Sequence, residues 1–369
     1  MTSQGVTVVI PTWNGQDLLE RFLPSVLLAT RKFSAEFNAP TEVIVVDDAS
    51  TDRSLEWLNR LGFSMPGRNI DVEDQLRYQQ RQRTVLKAIR NERNQGFGET
   101  CNYGVREATH PLVLLLNNDV SVYPDLIAPL VENFSDPLVF AAHCKAFNRR
   151  DGTLCGTGKV GDFSFGSFRV HRSWKPRDES ATLGQNFISM FAGGGSAMFH
   201  KEIFLKIGGF ERLLSPYYWE DVELSYRAWK RGYRIVYEPR SIVEHEVSST
   251  IGKLNRRRVR TIEARNKLLY HWIHLHDRRM MVAHVSWLSA LALTAPLTLR
   301  LDLISGLLGA LKLLPEVRKR RAVERSAASR TDREVLQAFR DLEQRPDVSV
   351  YDNLRHAADL DRLVASPQE

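Results

Sequence analysis

From Val113 to Asp125 the chain reads VLLLNNDVSVYPD. A run of aliphatics, Val113 to Leu116, has the look of a buried strand. It stops abruptly at two amides and a carboxylate, Asn117, Asn118 and Asp119. A strand that only filled a core could end on any turn residue. This one ends on oxygen ligands, so its meaning depends on which other stretches share its end.

Upstream, VTVVIPTWN (Val6 to Asn14) is a β-branched run closed by Pro and Asn, the pattern of a buried parallel strand and its loop. GQDLLERFLPSVLLAT follows with helical spacing of Leu18, Leu19, Phe22, Val26 and Leu27. EVIVVDDAS is a second strand, and STDRSLEWLNRL opens a helix with Ser50 or Thr51 as the expected cap. Residues 63–93 are polar and basic until TVLKAIRNE, which reads as a strand, and GETCNYGVREAT reads as a short helix. Alternation of this kind predicts an α/β fold with an open, mostly parallel sheet flanked by helices. Ligands of such sheets bind beyond the carboxyl ends of the strands. Pro11–Asn14, Asp47–Asp52 and Asn117–Asp119 should therefore lie along one edge. Turns and helix caps could explain any one of these stretches alone, but their recurrence after successive strands favours a site.

Downstream, DGTLCGTGKVGDFSFGSF is glycine-rich and predicts hairpins. FAGGGSAMFHKEIFLKIGGF reads as a tight turn, an apolar strand and a helix ending at Gly208–Gly209. Asp221 to Lys230 reads as a helix with Leu224 and Ala228 inward and Gly232 as its stop.

The chain has 369 residues, 43% hydrophobic and 26% charged, which suits a folded protein of two domains or one large domain with appendages. Its three cysteines show no CxxC pairing, and no charged-then-apolar leader precedes Val6, so reduced thiols in a cytoplasmic setting are expected. The net charge of +7 is unevenly placed. Residues 251–330 hold 17 Lys/Arg against 5 Asp/Glu, a net of +12, which leaves −5 for the remainder. Because apolar runs interleave with the basic residues there, the expected partner is an anionic membrane surface, with no role for nucleic acid.

Five separated pieces, VVIPTWNG, VVDDASTDRS, NQGFGETCNYG, LLLNNDV and WEDVELSYRAWKRG, occur in an order that resembles family-2 glycosyltransferases of the GT-A nucleotide-diphospho-sugar transferase fold. The likeness is strongest to bacterial rhamnosyltransferase-like and galactofuranosyltransferase-like members and runs from about Val6 to Asn266. It implies a catalytic domain over 1–250, with a nucleotide-binding half to about 125 and an acceptor half over 126–250. Beyond Asn266 the likeness fades, and composition predicts a basic and apolar helical region over 251–330 and a polar, partly helical tail over 331–369.

The resemblance also implies roles. Pro11, Thr12, Asn14, Asp47, Asp48 and Asp52 would meet the nucleotide donor, with Asp48 in the base-reading place, where a carboxylate suits an imide N–H. Gly96 would let backbone approach closely at a helix entry that favours anions, while Asn94 and Asn102 would tie that loop or reach the nucleotide sugar. Asn117–Asp119 matches the so-called DXD position for a Mg²⁺ or Mn²⁺ ion on the diphosphate. It departs from a strict DXD because both flanking positions are Asn. Asp119 is then the one ionic ligand, beside Asn118, with Asn117 a neutral helper at most. His245 matches a histidine that completes the metal site in some members.

Asp221 matches the base of an inverting transfer, with Glu220 and Glu223 close enough to bind acceptor or tune it. Trp219, Tyr217 and Tyr218 could stack on a sugar or simply pack, and Gly194 and Gly195 would let backbone approach the acceptor. Arg265–Asn266 matches a recurring pair whose implied use is charge compensation near a phosphate.

The implied function is transfer of a sugar from a UDP- or dTDP-sugar to a hydroxyl of a glycan or lipid-linked glycan, in cell-surface polysaccharide synthesis at the cytoplasmic face of the inner or plasma membrane. An inactive nucleotide-sugar-binding scaffold is the alternative. A dinucleotide oxidoreductase is disfavoured, since no GxGxxG follows the first strand. Met281 to Leu299 carries no formal charge; interfacial helices are expected there, with a spanning segment or a soluble cap as alternatives. No oligomeric state is implied.

Overall fold

Strands β1 (Val6–Thr12), β2 (Thr41–Asp47), β3 (Thr84–Arg90) and β4 (Leu112–Leu116) are parallel and lie in the order β3-β2-β1-β4. They belong to a computed structural model that describes residues 4–65, 84–178, 187–246, 255–294 and 301–352. Much of the polar stretch over 63–93, residues 295–299 of the apolar run and the chain beyond 352 lie outside these.

Side chains alternate between two cores, as the strand period requires. Val8 and Ile10 of β1 and Val43 and Val45 of β2 pack with Leu19, Leu23 and Phe33 of helix α1 (Gln16–Phe37). Val9, Ile44 and Val46 face the other way, toward Cys101 and Val105 of helix α3 (Phe97–Glu107). That helix lies close on the sheet because Gly104 has no side chain; a Cβ there would come within 2.4 Å of Val9 Cγ1. Helix α2 (Ser54–Arg60) fills the crossover after β2. Thr12 pairs in register with Asp47, and Asp47 with Arg90, so three strands end level with one another. The expected shared edge therefore exists.

Beyond β4 the sheet becomes mixed. Strand β10 (Ser196–His200) runs antiparallel between β4 and β6 (Val139–Asn148). Strand β11 (Arg234–His245) is parallel to β6 and antiparallel to the short β5 (Val120–Val122), while β7 (Leu154–Gly156) adds to β6. Helices α4 (Ile127–Glu132), α5 (Lys201–Ile207) and α6 (Glu220–Lys230) cover this half, α5 ending on a left-handed Gly208 as its sequence predicts. A small antiparallel sheet joins β8 (Gly158–Ser164), β9 (Ser167–Pro176) and β12 (Val348–Asp352).

Helices α7 (Arg256–His274), α8 (Arg278–Thr294), α9 (Leu301–Lys312) and α10 (Leu314–Ala327) form the basic, apolar region. Gly306 lets α9 sit tightly on α7, since a Cβ there would be 2.9 Å from the Ala264 Cβ. Among the described residues no helix is long and apolar enough to cross a membrane.

The polar tail is helical in part, as expected, and it packs on the body of the fold. Helix α11 (Asp332–Glu343) starts at a capping box of Thr331 and Glu334 and buries Val335, Leu336, Phe339 and Leu342. Buried Asp332 accepts hydrogen bonds from Tyr226 Oη and Lys230 Nζ, each at 2.7 Å, and from the His276 and Asp277 backbone. Phe339 meets Trp229 edge-on at 5.3 Å. The chain thus returns to brace α6, the helix that carries Asp221.

Candidate active site

The loops at the carboxyl edge are laced to one another. Asp48 N–H donates to the Thr12 carbonyl and Asn91 N–H to the Asp47 carbonyl, both at 2.8 Å. Asn14, at a φ of 48°, donates its N–H to Ser50 Oγ (2.8 Å) and accepts from Thr51 N–H at 2.7 Å. Asp52 accepts from Gln16 N–H (3.0 Å) and Ser54 N–H (3.1 Å). Helix α2 therefore opens at Ser54 with Asp52 as the acceptor, rather than with Ser50 or Thr51, and the same carboxylate ties the start of α1. Pro11 and Thr12 close β1, and Thr12 Oγ1 accepts from Asn118 Nδ2 at 2.9 Å.

Asp47 is fully buried; its Oδ2 accepts from Ser50 N–H at 3.2 Å and lies 3.5 Å from Arg90 Nε. Burial pushes its pKa up in spite of those partners. Asp48 is heavily engaged. Its Oδ1 accepts from Asn91 Nδ2 and Gln95 N–H, both at 2.8 Å, and its Oδ2 from Gly96 N–H at 2.9 Å. A carboxylate has about four lone-pair sites, so one position on Oδ2 is left for an imide N–H. Asp48 first of all fixes the Gln95–Gly96 turn. Gly96, at a φ of 84°, approaches the next loop so closely that a Cβ would sit 3.2 Å from the Pro216 carbonyl.

Two residues of this group stand apart. Asn102, expected to tie its loop or to reach the nucleotide sugar, accepts the Phe210 N–H at 2.8 Å and donates to the Phe210 carbonyl at 2.9 Å. It joins α3 to the turn after α5, because a buried amide matches a backbone donor and acceptor together. Asn94 is exposed on its loop.

Strand pairing brings together the two residues expected to hold a metal. In the β5–β11 register His245 stands opposite Val120, the residue after Asp119. This brings His245 Nε2 to 3.1 Å from Asp119 Oδ1, with the Asp119 side chain nearly buried. One carboxylate oxygen and one imidazole nitrogen suit a divalent cation, and the imidazole favours a transition ion such as Mn²⁺ over Mg²⁺. Among the described residues no group of three or more His, Cys, Asp or Glu could hold a metal by itself. A cation here would take its other oxygens from bound diphosphate and water.

Asn117 N–H donates to the Gly195 carbonyl at 3.0 Å, and a Cβ on Gly195 would collide with the Asn117 amide at 2.5 Å. Gly195 is thus needed for the turn to meet the end of β4. On its other side the turn meets Asp221, toward which Gly194 directs its backbone N–H.

Asp221 and Glu220 begin α6. Both keep some exposed surface, while their carboxyl groups lie low in the fold with protein around them. Burial pushes Asp221 up to about 6, against the Val222 N–H, the charge of Lys159 and the Gly194 N–H. Burial and the neighbouring Asp221 charge push Glu220 up to about 8. Glu220 Oε2 is buried without a hydrogen-bond partner among the described residues. Glu223 is not part of the site. It is wholly buried and paired with Arg227 and with His274 Nε2 (2.6 Å), which hold it down at about 2 against the upward push of burial. Three residues into the helix, its side chain faces the core.

Tyr218 and Trp219 lead into α6 at φ values of 71° and 74°, left-handed conformations that are strained for aromatic residues. Trp219 packs on Tyr270 at 5.3 Å, leaving Tyr218 the more exposed ring. The strain is held by Asn266, fully buried, whose Nδ2 donates to the carbonyls of Tyr217 and Tyr218 at 2.9 Å each and to that of Leu214. Arg265 donates to Asn266 Oδ1 (2.9 and 2.8 Å) and to the Ser215 carbonyl. The pair expected to face a phosphate is a clamp on the loop before Asp221. Asn266→Ala should leave buried carbonyls unpaired, at about 1–3 kcal/mol each before relaxation. A loss of about 2–4 kcal/mol in chemical denaturation is expected, and a stability within 0.5 kcal/mol of wild type would contradict the clamp.

The glycosyl transferase family 2 model matches residues 7–208. The chain belongs to glycosyl transferase family 2. A second model, glycosyl transferase family group 2, matches residues 112–314. The poly-beta-1,6-N-acetyl-D-glucosamine synthase of Staphylococcus aureus strain MSSA476 is 24% identical over 267 residues, covering 72% of this chain and 56% of that protein. The Staphylococcus epidermidis synthase of the same name is 22% identical over 295 residues, covering 77% and 62%. The chain thus spans little more than half the length of these relatives. GalNAc-T7, solved with UDP, GalNAc and Mn²⁺, aligns with a TM-score of 0.52 at 19% identity, covering 75% of this chain and 49% of that one, a likeness of fold.

In this family-2 glycosyltransferase, sequence reasoning missed Asn91, which orients Asp48, and Lys159, whose charge acts on Asp221. Neither carries a local pattern: Asn91 is one of several amides after β3, and Lys159 lies on a hairpin strand far away in the chain.

Proposed function

We propose that the chain is an inverting glycosyltransferase that moves a sugar from a UDP- or dTDP-sugar to a hydroxyl of a glycan or lipid-linked glycan, in polysaccharide synthesis at the cell surface. The observation that carries this reading is the Gly193–Gly195 turn, which touches the end of β4 through Asn117 on one side and faces Asp221 on the other. The Asp119–His245 pair, two residues on from Asn117, and the raised-pKa carboxyl pair are thereby linked through one short turn.

Asp221 takes the proton of the acceptor hydroxyl as its oxygen attacks the anomeric carbon. The bond from that carbon to the diphosphate oxygen breaks as the new glycosidic bond forms, and one in-line displacement inverts the centre. A divalent cation held by Asp119 and His245 would offset charge on the departing nucleotide diphosphate. Asp48 holds the turn against which the nucleotide lies and offers it one acceptor position. Glu220, raised to about 8, is protonated at neutral pH and can donate a hydrogen bond to the acceptor.

The base must be ionised to work. Asp221 is raised to about 6, so its active form is present above that pH and lost below it. Turnover under saturating donor and acceptor should rise through about pH 6 and fall about tenfold per unit below it. Glu220→Gln should keep this acidic limb, because Glu220 is already neutral there. A profile flat from pH 5 to 7 would remove Asp221 from the role.

The helical region is proposed to rest on the cytoplasmic face of an anionic membrane. Val282, Val285 and Leu293 of α8 are 66%, 52% and 76% exposed, with Leu308 and Leu311 of α9 also outward, in the segment of net charge +12. The full chain should sediment with phosphatidylserine vesicles and be released by salt. Recovery in the supernatant at low salt would refute the membrane assignment.

A further inference from the structure

Strands β8 and β9 are joined by a turn of two residues, Phe165 and Gly166, with Ser164 paired to Ser167. Both turn residues have positive φ, 48° and 69°. Turns of this hand match the strand twist and favour Asn, Asp or Gly in first place, since other side chains are strained there. Here the first place holds a phenylalanine. Its side chain is 78% exposed, more than any other large apolar residue among those described. The hairpin therefore bears both backbone strain and an aromatic ring in water, where an Asn would avoid each. Strain that persists without a packing reason points to a use.

The tip is fixed in place. Gly166 lies so close to α8 that a Cβ there would collide with the Ala283 carbonyl and the Trp287 side chain. His284 Nδ1 donates to the Gly166 carbonyl at 2.8 Å, and its ring stacks on His271 of α7 at 4.5 Å. The Phe165 ring is thus held beside the outer face of α8. On that face Val282, Ala283, Val285 and Leu293 are exposed, and no Lys, Arg, Asp or Glu occurs between Arg279 and Arg300.

Charge borders this apolar surface without interrupting it. The Arg169 guanidinium lies 5.0 Å from the Phe165 ring centre, and exposed Arg278 and Arg279 open α8. Residues 158–176 hold four Lys/Arg against one acid. That acid, Asp162, stands opposite Arg169 in register and pairs with Arg172 at 3.1 Å. An aromatic ring with a guanidinium over it suits a bilayer boundary, the ring among acyl chains and the cation among phosphates.

We propose that the β8–β9 hairpin tip is a membrane-inserting wedge, with Phe165 entering the acyl boundary of an anionic bilayer beside α8 and Arg169 at the phosphate level. This rests on the membrane assignment of the helical region and adds an anchor from outside it. Strand β8 bonds to Ser189 and to Met190, which lead into the Gly193–Gly195 turn. Insertion of the tip would therefore set the height of the acceptor side above the lipid.

The test uses the full chain and vesicles of equimolar phosphatidylcholine and phosphatidylserine. Phe165→Asn should weaken sedimentation with vesicles about tenfold, the loss expected for one aromatic ring withdrawn from an apolar layer. The same change should leave the denaturation midpoint at or above the wild-type value, because Asn suits the turn. Phe165→Trp should bind as wild type. An environment-sensitive fluorophore on Phe165→Cys, in a Cys155→Ser background that leaves only buried thiols, should shift to the blue with vesicles. It should also be quenched by nitroxides on the acyl chains. The same label on Leu28→Cys of α1, across the large sheet, should stay in water. A chain that sediments while the label at 165 stays in water, or with Phe165→Asn bound as wild type, would overturn the wedge and leave the membrane assignment intact. Recovery of the full chain in the supernatant would remove both. A blue shift that grows with protein concentration and needs no vesicles would assign the tip to a second copy of the chain and overturn the proposal.

Discussion

Asp221→Asn should lower turnover by about 10²–10⁴-fold while donor affinity stays near the wild-type value. The substitution keeps size and polarity, and an amide oxygen can still accept the Val222 N–H that Asp221 Oδ1 now receives at 2.8 Å. It removes only the proton acceptor. A loss confined to kcat is the mark of an interaction made in the transition state, whereas a loss in KM alone would mean that Asp221 binds substrate. Asp48→Ala should behave in the opposite way. Its carboxylate holds Asn91, Gln95 and Gly96 together, so removal disorders the turn beneath the nucleotide and raises donor KM first. Glu220→Gln keeps a neutral hydrogen-bonding group beside the base and should fall between them at neutral pH. Near-normal turnover in Asp221→Asn would pass the role to Glu220, since Glu223 is buried against Arg227 and His274.

The second large effect concerns the cation. EDTA should abolish turnover, Mn²⁺ should restore it, and Asp119→Ala should not be rescued at any Mn²⁺ concentration. Asp119 supplies the only anionic oxygen of its pair, and loss of a main electrostatic stabiliser costs about 10²–10³-fold. His245→Ala should be milder, with activity recovered at higher Mn²⁺, because the carboxylate and the diphosphate oxygens remain. Full turnover in chelator would refute the metal assignment while leaving the Asp221 result intact.

The nucleotide half was legible because β1, β2 and β4 are buried on both faces. Their aliphatic runs are nearly unbroken and end at the same level. The mixed half was less so, since β6 and β11 pair across a span that includes a second small sheet and several turns. Adjacency misled at Glu223. Next to Glu220 and Asp221 in sequence it looks like site chemistry, but every residue from Val222 to Lys230 is buried, and Arg227 four residues on was the sign of an internal pair. Asn102 and Asn266 were less legible for another reason. A side-chain amide that serves distant backbone leaves no periodic trace in its own neighbourhood, so its partners at Phe210 and at Leu214, Tyr217 and Tyr218 appear only in the fold. The stretch from Thr331 was legible as partly helical, but its place against α6 was not. Thr331 and Glu334 spell a capping box, and Val335, Leu336, Phe339 and Leu342 mark one helical face within a polar composition.

The site as a whole stands on the claim that Asp221 drives transfer of a sugar from a nucleotide diphosphate. The most direct test is nucleotide release by the purified chain with Mn²⁺ across a panel of UDP- and dTDP-sugars, run beside Asp221→Asn. Release from at least one donor is expected, lowered about 10²–10⁴-fold in the variant while that variant still binds the same donor. Release at equal rates by both proteins, or none from any donor by a folded wild-type chain that binds UDP, would contradict it.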